Sequence, residues 1–98
     1  MKFGLFYQIQ VPKPWNEDSE SKRIWEALDQ IVYAEEMGYD SVWFSEHHFR
    51  PVWSHNSAPD LTLAAVSQRT SRIRLGVGVV LAPIHHPPHT AARMATLD

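Results

Sequence analysis

The chain has 98 residues, of which 44% are apolar and 20% are charged, a composition typical of globular proteins. Its formal charge is −2 and it has no run of lysines or arginines, so we expect neither nucleic acid nor a membrane as a partner. The absence of cysteine excludes disulfides, thiolate nucleophiles and cysteine metal sites. The amino-terminal apolar run is too short for a signal peptide, which predicts a cytoplasmic location.

The first half of the chain shows a strand, a helix and a second strand. Residues 2–9 are mostly aromatic or β-branched, which predicts a buried first strand. Residues 19–37 place apolar side chains three or four apart, the spacing of one helix face, and Gly38 is predicted to end this helix in a left-handed conformation. Residues 41–45 form the second predicted strand.

The second half repeats this alternation. A helix is predicted to extend to about residue 70, with Ser57 or Asp60 as its cap. Residues 73–82 are nearly continuous in Val, Leu and Ile, which indicates a third strand that is covered on both faces. Pro87 and the proline after it are typical of the first turn of a helix, which gives a third helix.

The resulting order, β-α-β-α-β-α, predicts an α/β fold with one parallel sheet joined by right-handed crossovers. Three strands leave two open sheet edges and an uncovered apolar face. We therefore expect residues 1–98 to be a single partial domain, the first three βα units of a (β/α)8 TIM barrel and the amino-terminal part of something larger.

A polar, titratable segment follows the second strand directly. Glu46, His47, His48 and Arg50 supply an acid, two imidazoles and a guanidinium there. In parallel α/β folds, ligands bind beyond the carboxyl ends of the strands. This segment is therefore a candidate site.

Several short motifs occur in a characteristic order and spacing over the whole chain. They are Met1-Lys2-Phe3-Gly4, Ala34-Glu35-Glu36-Met37-Gly38-Tyr39-Asp40-Ser41-Val42-Trp43, Glu46-His47-His48-Phe49, Ile73-Arg74-Leu75-Gly76-Val77-Gly78, Leu81-Ala82-Pro83-Ile84-His85-His86-Pro87 and Ala95-Thr96-Leu97-Asp98. In these motifs the chain resembles the amino-terminal third of the bacterial luciferase-like, flavin-dependent monooxygenases. The resemblance implies a TIM barrel that uses reduced FMN and dioxygen on a small organic substrate. Deazaflavin-dependent relatives share the fold, so a deazaflavin coenzyme is an alternative.

The resemblance also implies roles for individual residues. His47 matches the histidine that lies beside the isoalloxazine and assists its reaction with dioxygen, a role that suits a group with an unperturbed pKa of about 6.5. A non-prolyl cis peptide under the ring is expected at Gly78-Val79. Candidate cofactor-binding residues are Tyr7, Gln8, Glu46, Gly78, Val79, Val80 and Leu81.

Two roles remain open for Glu46 at this stage. It is either a loop residue, solvated or paired with Arg50, or the group that orients an imidazole. His48 is expected to pack or to support its neighbours rather than to face the ligand, because adjacent side chains alternate in direction along an extended chain. Trp25 and Trp43 are expected in the core.

A metal-dependent hydrolase is a less favoured alternative. Five histidines, His47, His48, His85, His86 and His89, follow the second and third strands. Barrel metallohydrolases, however, usually place ligands at the end of the first strand, and that strand ends here without His or Asp. We therefore predict no metal site.

A second alternative is a non-catalytic fragment that self-associates through its open sheet edges. TIM barrels usually hold a ligand's phosphate with the loops after strands seven and eight. We expect the isolated chain to bind flavin poorly and to turn over little, and to form a homo-oligomer or to associate with the rest of the barrel.

Overall fold

The computed structural model describes all of residues 1–98 as a three-stranded parallel sheet with helices packed against one face. Its elements are β1 (Gly4–Tyr7), α1 (Ser19–Glu36), β2 (Ser41–Phe44), α2 (Pro59–Ser67), β3 (Arg74–Val77), a 3-10 helix (Ala82–Ile84) and α3 (Pro87–Leu97). The strands lie in the order β1-β2-β3, each parallel to its neighbour. The predicted α/β fold class, with consecutive βα units of a TIM barrel, is confirmed.

Strand alternation divides the sheet into two faces. One face carries Val42 and Phe44, both fully buried, and packs against Ile31 of α1 and Leu63 of α2. The core cluster comprises Ile9, Ala27, Leu28, Ile31, Val42, Phe44, Leu63, Val66 and Ile73. The other side is here called the open face. It carries the side chains of Phe6 and Trp43, and the strand positions Gly4, Ser41, Arg74 and Gly76 lie on the same side.

The open face explains why the sequence pattern misplaces two tryptophans. Trp43 is 45% exposed and Trp25 is 62% exposed, so their predicted place in the core is wrong. Trp43 occupies the odd position between Val42 and Phe44 and therefore points away from the helices. Trp25 lies on the outer side of α1, whose buried residues are Ala27, Leu28, Ile31 and Ala34.

The third strand is shorter than the predicted range 73–82. It pairs with β2 only as far as Phe44 and Val77, which are the last residues of the two strands. The N–H of Gly78 still donates to the carbonyl of Phe44 at 2.8 Å, but the N–H of Leu81 donates to a side chain, that of Glu46. The chain therefore leaves the sheet where its neighbouring strand ends.

Helix boundaries agree with the sequence for α1 but not for α2, which ends at Ser67 rather than near residue 70 and has a different cap. Gly38 has φ +90° just beyond α1, as predicted. Ala58, rather than Ser57 or Asp60, occupies the N-cap of α2 and makes no side-chain cap bond. Asp60 instead lies in the first turn and forms an ion pair with Arg93 of α3. None of the helices combines the length and apolar composition that crossing a membrane requires.

The Glu35 carboxylate at the end of α1 fixes where β3 begins. Its oxygens accept the backbone N–H groups of Ser71 at 3.0 Å, Arg72 at 2.6 Å and Ile73 at 2.7 Å. The bond from Ile73, helped by those from Arg72 and Ser71, outweighs desolvation and lowers the pKa of Glu35 below its usual value of 4.5. Arg72 in turn donates to the carbonyls of Glu35 and Tyr39.

Replacing this carboxylate by its amide isostere, Glu35→Gln, is expected to lower the free energy of unfolding by about 1 kcal/mol at neutral pH, since the group is partly solvated. Because the folded-state pKa lies below 4.5, the unfolded chain takes up the proton first. The carboxylate's contribution is complete above that value and is lost as the pH falls through the folded-state pKa.

Urea denaturation at neutral pH and below about pH 4 measures both effects, and the difference between wild type and variant should shrink in acid. Glu36→Gln, at an exposed position, is the control and should stay within about 0.5 kcal/mol of wild type. Equal effects of the two substitutions at neutral pH would show that Glu35 does not anchor β3.

Candidate functional site

The segments that follow the three strands are joined to one another at the carboxyl edge of the sheet. Ser45 donates its N–H to the carbonyl of Tyr7 at 3.0 Å, which links the ends of β2 and β1. Gly78 and Leu81 donate to the β2 side, to the carbonyl of Phe44 and the carboxylate of Glu46. Residues far apart in sequence thus form one continuous edge.

Glu46 is the central group of this edge. Its residue is only 3% exposed, and three donors surround its carboxylate. Oε1 lies 2.7 Å from Nε2 of His48 and 2.5 Å from Nε2 of His85, and Oε2 accepts the N–H of Leu81 at 2.9 Å. These four residues are called the Glu46 cluster below.

The Glu46 carboxyl group is ionised. Burial alone raises its pKa, but the hydrogen bonds from His48, the Leu81 N–H and His85 together outweigh that cost, so the net pKa lies below the usual 4.5. An ionised carboxylate only accepts hydrogen bonds. Both Nε2 atoms are therefore assigned as hydrogen-bond donors to the same oxygen, Oε1.

This arrangement resolves the two roles left open for Glu46. It orients imidazoles, and the imidazoles are those of His48 and His85 rather than His47. It does not pair with Arg50. The Arg50 backbone carbonyl accepts the N–H groups of Trp53 and Ser54. His48 supports its neighbours, as predicted. The contribution of His85 is not predicted by the sequence, because 39 residues separate it from Glu46 and nothing in its proline-rich surroundings indicates the contact.

His47 points away from the Glu46 cluster. Its N–H donates to the carbonyl of Asn56 at 3.1 Å, while its side chain is exposed and takes part in no protein hydrogen bond. The ring borders a cleft of about 570 Å³ that opens to solvent. The other lining residues are Glu20, Phe49, Arg50, Pro51, Ser54, His55 and Ser57. An imidazole with no protein partner is free to contact a ligand.

The cleft contains a second imidazole that sequence reasoning overlooked. Nδ1 of His55 lies 2.7 Å from the Glu20 carboxylate, and its Nε2 contacts the carbonyl of Pro51. The ring edge also meets the Trp15 indole at a centroid distance of 6.0 Å. His55 is thus held by the protein on both nitrogens, whereas His47 is not.

The segment after β3 lies against the open face. The Gly78-Val79 peptide is cis, as the resemblance implied. A Cβ at Gly78 would lie 3.4 Å from Phe6 and 3.8 Å from Trp43, and Val79 is 65% exposed. A Cβ at Gly76 would overlap the Trp43 indole, so the ring lies flat across that strand only because Gly76 has no side chain. Phe6, Trp43, Gly78 and Val79 form an apolar, partly exposed surface toward the carboxyl edge.

The remaining candidates lie at other places. The Tyr7 ring stacks on Phe44 at 5.4 Å and its hydroxyl donates to Gln30 of α1, so the side chain faces the helices and burial raises its pKa. Gln8 borders a cleft of about 500 Å³ between β1 and α1. Val80 lines a different cleft, beside Glu46. The structure groups Glu46 with Leu81 but joins neither Tyr7 nor Gln8 to His47 by a hydrogen bond.

These residues lie together at the carboxyl ends of the strands. Comparison with known proteins gives the family of the chain. The sequence model for luciferase-like monooxygenases matches residues 1–98. The chain belongs to this family. Its predicted resemblance is therefore confirmed over the whole described length.

Individual relatives agree with this assignment. The chain is 38% identical to 4-hydroxyprotoasukamycin monooxygenase of Streptomyces nodosus subsp. asukaensis over 98 residues, covering all of this chain and 25% of that protein. It is 38% identical to limonene 1,2-monooxygenase of Rhodococcus erythropolis, covering 98% and 24%. An F420-dependent glucose-6-phosphate dehydrogenase of Intrasporangium calvum is 36% identical over 83 residues, covering 81% and 24%. The chain thus spans about a quarter of the length of these relatives.

Solved structures of the family superpose closely on the chain. The monooxygenase RslO1 from Streptomyces bottropensis matches with a TM-score of 0.88 and 35% identity, covering 100% of this chain and 29% of that one. The oxygenating constituent of 3,6-diketocamphane monooxygenase from Pseudomonas putida, solved in complex with FMN, matches with a TM-score of 0.85 and 26% identity, covering 99% and 26%.

Removing the charge of the central carboxylate tests the Glu46 cluster. Glu46→Gln keeps the shape of the side chain but weakens the hydrogen bonds from three donors. Its amide N–H₂ group, itself a donor, would face at least one of those donors. The expected loss in free energy of unfolding is about 2 to 3 kcal/mol. Urea denaturation followed by circular dichroism measures it. Glu17→Gln, at an exposed loop position, is the control. A loss no larger than that of the control would contradict the role given to Glu46.

Proposed function

We propose that this chain forms part of the active site of a flavin-dependent monooxygenase, which uses reduced FMN and dioxygen to oxygenate a small organic substrate. One observation carries the proposal. An unpartnered imidazole, His47, and a partly exposed segment, 78–81, follow the carboxyl ends of neighbouring strands, where ligands of this fold bind.

The residues present fit a flavin. Its ring system is planar and has an apolar dimethylbenzene part, and the surface formed by Phe6, Trp43, Gly78 and Val79 is apolar and exposes Phe6, Trp43 and Val79 to solvent. Any side chain at Gly78 would project toward that surface from the backbone. When bound there, reduced flavin supplies the electrons with which dioxygen is activated.

The proposed roles of the residues follow from their positions. Gly78, Val79, Val80 and Leu81 support the ring through backbone and apolar contacts. His47 holds or transfers a proton at the reacting edge of the flavin. This is the usual role of an imidazole in general acid–base catalysis. Tyr7 and Gln8 contribute at the end of β1, Tyr7 through its strand-end backbone.

Glu46 acts as a positioning residue in this proposal. Its buried side chain does not reach the open face, but Oε2 holds the N–H of Leu81 and thereby one end of the 78–81 segment. Glu46 also directly precedes His47 in the sequence. The carboxylate thus connects the two parts of the site without touching the ligand.

FMN is the proposed cofactor because the 3,6-diketocamphane monooxygenase constituent was solved with it. A deazaflavin remains the alternative, since one relative is F420-dependent. A cytoplasmic location, predicted from the amino-terminal sequence, remains a prediction.

We further propose that residues 1–98 are a single partial domain and that further βα units complete the site. The open face supports this, because Phe6 is 57% exposed and Trp43 45% exposed. In addition, the chain covers only about a quarter of its relatives. Alone it should bind flavin weakly, turn over little, and self-associate or pair with the remaining barrel through this face.

His47→Ala is expected to slow oxygenation by about 10²- to 10⁴-fold, the usual range for loss of a general acid–base group. The assay follows product formation from reduced FMN and dioxygen in a protein in which these residues are part of a whole barrel. His89→Ala, at an exposed position on α3, serves as the matched control and should leave the rate unchanged. An unchanged rate in His47→Ala would refute the role of His47.

A comparison of the 98-residue chain with the whole barrel separates this function from the self-associating alternative. Sedimentation analysis with and without FMN shows whether the 98-residue chain assembles and whether flavin alters the assembly. Assembly together with no flavin binding, even by the whole barrel, would favour a non-catalytic role. Flavin binding by the whole barrel supports the monooxygenase.

A further inference from the structure

Three potential metal ligands converge beside the β2–α2 connection. Glu46, His48 and His85 each offer one atom, and these atoms lie within 4.8 Å of one another. The carboxylate side chain is 2% exposed, and the two imidazoles are 28% and 29% exposed. They come from two segments that the fold brings together, since His85 follows the 3-10 helix while Glu46 and His48 follow β2.

We propose that Glu46, His48 and His85 bind one divalent transition-metal ion of the zinc type. Two imidazole nitrogens and one carboxylate oxygen are a ligand set that Zn²⁺ prefers, whereas Mg²⁺ and Ca²⁺ prefer oxygen ligands throughout. Two of these ligands, His48 and His85, belong to the histidines for which the sequence predicts no metal site, and the third, Glu46, is not considered as a ligand in that prediction.

The carboxylate is already oriented for this task. Oε2 is held by the Leu81 N–H at 2.9 Å, which leaves Oε1 directed at both imidazoles. Hydrogen bonds of this kind to a ligand's second atom fix the ligand's orientation and strengthen metal binding. The ion takes the place of two protons. Each Nε2–H proton moves to Nδ1 of the same ring or to solvent, and no other bond changes.

The site has room for the metal. Zinc bonds of about 2.0 to 2.2 Å in tetrahedral geometry require about 3.3 to 3.6 Å between ligand atoms. The present Oε1–Nε2 separations are 2.5 and 2.7 Å, so both rings must withdraw slightly. Both are partly exposed and lie in loops. Glu46 and His85 also border a cleft that opens to solvent, from which water can supply the fourth ligand.

Metal binding here shares Glu46 with the proposed flavin site, and Val80 of the 78–81 segment lines the same cleft as Glu46 and His85. His47 projects into a different cleft from the one that Glu46 and His85 line. Because Oε2 does not ligate, the bond to Leu81 persists when the ion is bound. The metal should therefore stabilise the folded chain through ordinary binding linkage rather than release the 78–81 segment.

The test is calorimetric titration of the chelator-treated 98-residue chain with ZnCl₂, with MgCl₂ as the control cation. Titration with CoCl₂ adds an independent readout, the visible absorption of tetrahedrally bound Co²⁺. The variants are Glu46→Gln, His48→Gln and His85→Gln, with folding checked by circular dichroism. The matched control is the double variant His86→Gln with His89→Gln, which removes an exposed histidine pair whose rings lie 5.1 Å apart.

One zinc ion per chain, no response to Mg²⁺, and at least about a tenfold weaker affinity in each cluster variant are expected. The control double variant should bind as wild type does. If Glu46→Gln fails to fold, the two histidine variants decide the result. Absence of zinc binding, binding that survives the cluster variants, or binding that is lost in the control double variant would each overturn the proposal.

Discussion

The carboxyl edge of this sheet depends on one constraint, the burial of the ionised Glu46 side chain. A carboxylate that is withdrawn from water must be compensated by hydrogen bonds or by charge, or the fold loses several kcal/mol. Glu46 obtains this compensation from His48, the Leu81 N–H and His85. Two loops that are not adjacent in sequence are thereby required to meet, and the positions of His47 and the 78–81 segment follow from that meeting.

The sheet itself supplies two different surfaces, and function is proposed for the one that the helices leave uncovered. Val42 and Phe44 complete the core with α1 and α2, whereas Trp43 and Phe6 point the other way. The absence of a side chain at Gly76 lets the indole lie flat across β3. The apolar character of these strands therefore serves both the core and a ligand surface.

Because apolar strand residues lie on both faces of the sheet, the sequence alone cannot predict every position. Periodicity and capping residues are enough for the element order, for Gly38 and for the parallel sheet. They cannot place Trp43, because the three consecutive apolar residues Val42, Trp43 and Phe44 show no alternation of apolar and polar side chains. The end of β3 also escapes prediction, since it depends on where β2 ends and on a side-chain acceptor, Glu46, which draws away the Leu81 N–H.

The candidate site is predictable where its residues are close in sequence. Adjacent positions on an extended chain point in opposite directions, and this rule alone separates His47 from its neighbours. The pairing of Glu46 with His85 is a tertiary contact between loops and leaves no local pattern. The cis Gly78-Val79 peptide follows from family resemblance alone.

The most direct test of the role of Glu46 is an FMN titration of an isotope-labelled protein in which residues 1–98 are part of a whole barrel, followed by amide resonances in wild type and in Glu46→Gln. Shifts confined to His47, Gly78–Leu81 and their neighbours on the open face are expected in wild type. They should weaken in the variant, because the 78–81 segment is no longer held. Shifts located elsewhere, or identical shifts in wild type and a folded variant, would contradict both the proposed flavin surface and its dependence on the buried carboxylate.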